Sequence, residues 1–469
     1  MKKHFFFPLF ICLCIVVQTL SAQARYVFYF IGDGMGPNQV LAAEMYLAEL
    51  EGNISRKQLN FTQFPYSGQA ATFSKSNSIT DSSAAGTALA TGVKTTNGTL
   101  GLDADGKPVR TIAEMLKERG WGIGVTTSVS IDHATPGAFY AHVKKRNEYY
   151  NIGRQLVESN FDFFGGATFY QPYDPKADKS ECLYDLVEQN RYTIARGYKD
   201  YEEKKGGAEK MVLIQEFEGL EKDYKGGGLL PYAIDKSPED LTLPQITTAA
   251  IDFLTMRNDR FFLMVEGGAI DWACHENDAA SVIGEVIEFD EAIRVALEFY
   301  YAHPDETLIV ITADHETGGM ALGNSNYTLN LKLLENQKVS KGELFEKLKN
   351  IYVNNGSKLK WEEARDVLKT DLGFYDKVEI TSDEEKQLKQ AFKEVQKNKK
   401  DVKALYKKLN KFTDCAVRML DTKAKVGWTT GSHSAAAVPV FAIGAGANKF
   451  TGWQDNTEIM KKILQSVKE

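Results

Sequence analysis

Acids, hydroxyls and histidines recur just past the apolar runs of this chain. Asp33 follows the run 25–31, Glu266 follows 261–265, and Asp314-His315 follow 307–313. Thr135 stands a few residues beyond a further run, 122–128, and His433 shortly precedes the last one, 438–443. Asp271 and His275 are spaced i, i+4, so on a helix both face the same side. Four of the seven histidines (His133, His275, His315 and His433) lie in these segments. Mixed histidine and carboxylate ligation suits zinc, whereas all-oxygen ligation suits magnesium. A single histidine is more often a satisfied polar residue than a ligand. The joint pattern reverses that expectation.

A nucleophile is available beside them. In Thr80-Asp81-Ser82-Ser83-Ala84-Ala85-Gly86-Thr87-Ala88 a hydroxyl stands where a turn becomes a small-residue helix. The first N–H groups of such a helix have no intrahelical partner, and its dipole favours an anion there. Ser82 could therefore face a bound phosphoryl group. Taken alone, the stretch reads better as Asp81 or Ser82 capping an Ala-rich helix, and it is the other segments that turn the reading. Gly32-Asp33-Gly34-Met35-Gly36 is a Gly-rich turn after a first strand, but it is not the G-x-G-x-x-G pattern of dinucleotide sites. A carboxylate in its middle would repel a pyrophosphate and suits a metal ion, with the glycines letting backbone approach closely. The plainer alternative is a turn aspartate.

These residues need elements to position them. The aromatic and β-branched run 25–31 reads as a buried strand, as do 122–128, 261–265 and 307–313, with 438–443 as the closing strand. Between the first two, 110–120 is a helix with capping-box spacing at Thr111 and Glu114 and a stop at Gly120. Strand, helix and strand in this order imply a crossover and a parallel sheet. Ligands of such sheets bind outside the carboxyl ends of the strands, which is where the acids and histidines fall. The stretch 151–243 is harder to read: 161–166 is a candidate short strand, and Gly206-Gly207 and Gly226-Gly227-Gly228 mark loops. A helix is expected over 244–256. Val282, Val286, Phe289, Ile293 and Ala296 then continue as an amphipathic helix. From about 324 to 426 Lys and Glu dominate, above all over 383–411, which predicts a mainly helical, charged surface insertion.

A hydrophobic fraction of 43% with 25% charged residues is that of an ordinary globular protein. The net charge of −7 offers no basic excess for nucleic acid. Lys2 and Lys3, the apolar run 5–20 and Leu20-Ser21-Ala22 read as a signal peptide over 1–22, cleaved near Ala22, which implies a periplasmic or secreted protein. No second membrane segment follows. Cys12 and Cys14 leave with the leader. Cys182, Cys274 and Cys415 then allow at most one disulfide.

Six pieces carry a resemblance: IGDGMG at 31–36, TDSSAAGTALATGVKT at 80–95, DHATPGAFYAHVKKR at 132–146, VEGGAIDWACH at 265–275, TADHETGG at 312–319 and GSHS at 431–434. Together and in this order they resemble the alkaline phosphatases. The resemblance implies an α/β fold in three layers, with a mostly parallel central sheet, helices on both faces, and one catalytic domain over 23–469 interrupted by the insertion at about 324–426. It implies hydrolysis of small phosphate monoesters through a phosphoserine at Ser82, with Arg146 holding two phosphate oxygens. Asp271, His275 and His433 would ligate one zinc, and Asp314 and His315 the second. Asp33 would be shared between that zinc and a third metal, completed by Thr135 and Glu266. Two zinc ions and one magnesium per chain follow, and a homodimer is an option because the family often dimerises. The best-known bacterial pattern has Asp where this chain has His133 and Lys where it has Trp272, two positions next to substrate. Imidazole for carboxylate shifts the third site away from magnesium, towards zinc or cobalt. A phosphodiesterase or sulfatase on the same scaffold is a competing reading, as is a non-catalytic exported phosphate- or metal-binding protein. The x-Pro-x-Arg that a sulfatase would need after Ser82 is absent.

Overall fold

The structure, a computed structural model, describes residues 23–177, 181–215, 228–325, 327–397 and 402–467. The leader expected over 1–22 lies outside the described residues, as do Gly226 and Gly227. In chain order the strands are β1 (Tyr26–Gly32), β2 (Tyr66–Ala71), β3 (Gly122–Thr127), β4 (Phe163–Gly166), β5 (Tyr192–Arg196), β6 (Lys210–Ile214), β7 (Phe261–Gly267) and β8 (Thr307–Ala313). Then come the short β9 (Glu316–Thr317), β10 (Met320–Leu322), β11 (Val426–Trp428) and β12 (His433–Ser434), followed by β13 (Val438–Gly444) and β14 (Gly452–Asp455). Ten of them form one sheet in the order β14-β2-β13-β8-β1-β7-β3-β4-β6-β5. Every pairing in it is parallel except those of β13 with β2 and β8.

Alternation of side chains along β1 makes three layers. Phe28 and Phe30 point to one face, against Phe299 and Phe289 of the helix Ala279–Ala302. Tyr29 points to the other, against Phe139 just past the short helix Ala134–Gly137. Both faces are covered, which is why β1, β7 and β8 are apolar at nearly every position rather than alternating. The expected helix over 110–120 forms as Ile112–Glu118 with both halves of its capping box made, Thr111 to the Glu114 amide and Glu114 to the Thr111 amide. Gly120 follows at φ +77°, a conformation that suits glycine.

Three parts of the fold go beyond the sequence reading. The stretch 151–243 supplies β5 and β6 with helices Tyr149–Ser159, Leu183–Gln189 and Tyr198–Lys204, completing the parallel half of the sheet. Those strands are five residues each, too short for a distinctive pattern. The run 438–443 is not the closing strand: β14 comes later and pairs parallel to β2 at the sheet edge. Its GWQD sequence is half exposed and carries no buried-strand signal. Among the described residues from 324 to 426 there are four α-helices, Lys341–Asn354, Trp361–Leu372, Ser382–Lys397 and Val402–Lys423. Leu405, Leu409, Phe412, Ala416 and Leu420 make a buried stripe at helical spacing, with Phe412 against Phe392. Among the described residues no helix is long and apolar enough to cross a membrane, and Cys182, Cys274 and Cys415 are unpaired.

Candidate active site

The register of the sheet sets the depth of each functional group. Gly32 of β1 lies opposite Gly267 of β7 and Ala313 of β8. Asp33 and Asp314 therefore leave the sheet at one level, with Glu266 two residues below, opposite Ile31. The chain turns at Gly34, at φ +72°, and a Cβ there would lie 2.8 Å from the Asp271 Cα. Gly34 is required because the helix Ala269–His275 crosses directly over it, while Gly36 makes room for the Glu316 side chain. Ser82 opens the helix Ser82–Thr91, and Asp81 is the residue that caps it, accepting from the Ala84 amide. Capping therefore falls to Asp81, leaving the Ser82 hydroxyl free to face the strand ends, where its Oγ lies 3.2 Å from His315 Nε2.

The side chains converge in three groups whose donor atoms lie within 4.8 Å of one another: Asp271, His275 and His433; Asp33, Asp271 and His315; and Asp33, His133 and Glu266. Asp314 joins the second, its Oδ2 being 3.2 Å from His315 Nε2. Thr135 is fully buried in the short helix after His133. Every metal-ligand candidate from the sequence thus falls in one cluster, with His133 beside Asp33 and Glu266.

The cluster is rich in buried donor atoms that a cation would satisfy. Both Asp33 oxygens, Asp314 Oδ2, Glu266 Oε1, Thr135 Oγ1 and His133 Nδ1 are buried without a hydrogen-bond partner. Orphaned buried oxygens are costly, and a bound ion is what removes the cost. His275 Nδ1 faces the Gly431 carbonyl at 2.8 Å, and His433 Nδ1 faces that of Thr80 at 2.8 Å. Carbonyls only accept, so each Nδ1 carries a proton, and in the neutral rings each Nε2 is a lone pair. The two Nε2 atoms are 3.3 Å apart, a contact that either a proton or a cation between them makes favourable, and the hydrogen bond to Asp271 raises His275 to about 9.

Titration tells the same story. Burial, and then the Asp314 charge, push Asp33 well above the usual carboxylate range. Asp314 is raised likewise, by burial and then Asp271. Burial lifts Glu266 to about 7. Four acids this close cannot all ionise without cations to neutralise them. Asp271 is the exception: burial works to raise it, but its hydrogen bond with His275 and the neighbouring imidazoles outweigh this and hold it low. His133 is kept neutral, down to about 3, by burial and then by the Arg146 charge.

Arg146 reaches in from the side. One Nη lies 3.3 Å from Asp81 Oδ2 and the other 3.4 Å from His133 Nε2, so its fork is aimed at the space over Ser82. A cavity of about 280 Å³ opens there, lined by Ser82, Arg146, Trp272, Tyr232, Glu276 and the histidine pair. Trp272 meets His133 edge-on at 6.1 Å. Sequence reasoning missed several members. Asp81 was read as a possible cap, with no role for Arg146. Thr317, which donates to Asp271 Oδ1 at 2.5 Å and touches His315 Nδ1 at 3.2 Å, was passed over. Its place two residues after His315 was the available signal. Tyr232 carried no signal.

The family model described as alkaline phosphatase matches residues 24–160 and 195–468. Alkaline phosphatase 4 of Bacillus subtilis is 32% identical, over 96% of this chain and 90% of the relative. Among solved structures, the cold-active alkaline phosphatase of a psychrophilic Shewanella superposes with a TM-score of 0.79 at 30% identity, covering 95% of this chain and all of that one. A variant of the Antarctic bacterium TAB5 alkaline phosphatase, with a histidine replaced by aspartate and Mg bound in its M3 site, gives 0.62 at 27% identity, over 95% of this chain and 98% of that one.

Proposed function

This chain belongs to the alkaline phosphatase family, and from that premise we propose that it hydrolyses small phosphate monoesters at Ser82, with metal ions held by the strand-end cluster. The observation that carries the reading is the ring of partnerless buried donors, Asp33, Glu266, Thr135 and Asp314, around a serine hydroxyl and a guanidinium. Asp271, His275 and His433 are suited to one zinc. Asp33, Asp314 and His315 suit a second, and Asp33, Glu266, Thr135 and His133 a third cation. Bound there, the cations supply Lewis-acid neutralisation of the attacking and departing oxygens.

The chain's own groups do the rest. Ser82 Oγ attacks phosphorus and the alcohol leaves from the opposite side, giving a phosphoserine that water then hydrolyses. Arg146 takes two non-bridging oxygens in a bidentate pair, a task its planar fork performs better than a lysine. Asp81 holds that fork in place and occupies the Ala84 amide. The Ser82 and Ser83 amides, without intrahelical acceptors by position, face developing negative charge. Trp272 and Tyr232 line the same cavity as Ser82 and Arg146, where the alcohol part of a substrate would find apolar surface.

The proposal extends to the chain's setting. Residues 1–22 are a leader for export to the periplasm or medium. The mature chain is one catalytic domain, with the helical segment of 324–426 inserted, and a homodimer is an option for it. The test is phosphate release from an aryl phosphate by purified mature protein beside Ser82→Ala, with bound metals counted on the same samples. Turnover by the wild type, its loss by several orders of magnitude in Ser82→Ala, and about two zinc ions plus a third cation per chain are expected. Metal without monoesterase turnover would redirect the reading to diesters, and no turnover on either to a binding protein.

A further inference from the structure

The loop just past His275 ties the helical segment of 324–426 to the metal cluster. Asn277 ends the helix Ala269–His275 with φ at +49°, a left-handed conformation uncommon outside glycine that Asn tolerates better than most, and it is almost fully buried. Its side-chain amide is fully used. Nδ2 donates to the carbonyls of Cys274 at 3.0 Å and Thr430 at 2.9 Å, and Oδ1 accepts from Arg418 Nη2 at 2.9 Å. Thr430 is followed by Gly431, whose carbonyl orients His275, and then by His433 itself. One buried amide therefore joins the backbone carrying His275, the loop carrying His433, and the helix Val402–Lys423 carrying Arg418.

Two neighbours fasten the same turn. Lys341, opening the helix Lys341–Asn354, pairs with Glu276 and with Asp414 of the Arg418 helix. Asp278 caps the helix Ala279–Ala302 and also accepts from the Lys341 amide at 2.8 Å and Gln337 Nε2 at 2.8 Å. The inserted helices grip the His275 turn from both sides of Asn277. A surface appendage would have no reason to spend its buried polar contacts there.

We propose that Asn277 is a positioning residue for the His275–His433 pair, and that the inserted helices act on the metal cluster through it by way of Arg418. This rests on the reading that the pair holds a cation. Its Nε2 atoms are 3.3 Å apart, and a cation needs that gap held with both lone pairs converging. Each ring is aimed through its Nδ1 by a backbone carbonyl, and Asn277 sets the distance between the segments those rings stand on. Groups that orient ligands in this way change metal affinity by about 10–100-fold when removed.

Asn277→Gly is the discriminating variant, because glycine keeps the left-handed turn while deleting both halves of the amide. The experiment follows zinc release from the loaded enzyme to a chromogenic chelator, for wild type, Asn277→Gly and Arg418→Ala, with thermal unfolding of each metal-free protein alongside. Release from Asn277→Gly is expected to be at least about tenfold faster, with a smaller acceleration in Arg418→Ala and partial recovery of turnover in excess zinc. Metal-free Asn277→Gly should remain folded but melt below the wild type, the cost of three lost hydrogen bonds. Equal release rates in all three would overturn the proposal. If Asn277→Gly does not fold, Arg418→Ala decides alone, and an unchanged rate there overturns it. A wild type that carries no zinc would instead sink the metal reading itself, an outcome distinct from wild type and variants releasing zinc alike.

Discussion

His133 shows how one side chain sets the chemistry of a shared site. Its Nδ1 is buried and unpartnered, its Nε2 faces Arg146, and burial with that positive neighbour keeps the ring neutral. A neutral imidazole among Asp33, Glu266 and Thr135 makes a softer donor set than oxygens alone, one that disfavours magnesium. Replacing it by a carboxylate should reverse the preference. His133→Asp is expected to respond to added magnesium several-fold more strongly than the wild type, measured as turnover against magnesium concentration with zinc saturating. Identical curves would show that the imidazole does not reach the third cation.

At the scale of elements, the helix Ala279–Ala302 carries more than packing. Its Glu285 is buried and accepts from the Ala233 amide at 2.6 Å, tying down the segment that presents Tyr232 to the cavity. Burial and then the Glu288 charge raise its carboxyl from an ordinary 4.5 to about 8. A folded-state pKa above the unfolded one means the native protein binds this proton more tightly. The resulting stability is complete below about 4.5 and is lost as pH rises through about 8. Glu285→Gln keeps the acceptor and removes the titration. It should melt like the wild type near pH 4.5 and several degrees higher near pH 9, as followed by circular dichroism. A wild-type difference that does not grow with pH would mean Glu285 is ionised in the native state.

For the molecule as a whole, cations bound in this cluster would act on stability as well as on chemistry. The strands β1, β7 and β8 at the centre of the sheet end in Asp33, Glu266 and Asp314, all buried and unable to ionise together without positive charge. Chelation should therefore lower the melting temperature together with turnover. Readdition of zinc should restore both, since a ligand that binds only the native state stabilises it by mass action. Loss of turnover with an unchanged melting curve would place the cations outside this cluster.

Much of the site was legible because its signals are local. A long apolar run marks a central strand, whatever lies acid- or histidine-bearing past its end is delivered to the sheet edge, and the i, i+4 spacing of Asp271 and His275 places them together. Ser82 and the capping box at Thr111 are likewise written within a few residues. The short strands β5 and β6 and the edge strand β14 were not legible, since four or five residues on a sheet flank carry no periodicity that separates them from loops. Only the tertiary structure decided which donors lie together, that Asp81 pairs with Arg146, and that Asn277 joins Thr430 and Arg418. Those contacts span from 65 to more than 150 residues of chain, and no local spacing encodes them; they exist because the sheet register and helix packing bring distant backbone to within a hydrogen bond's length.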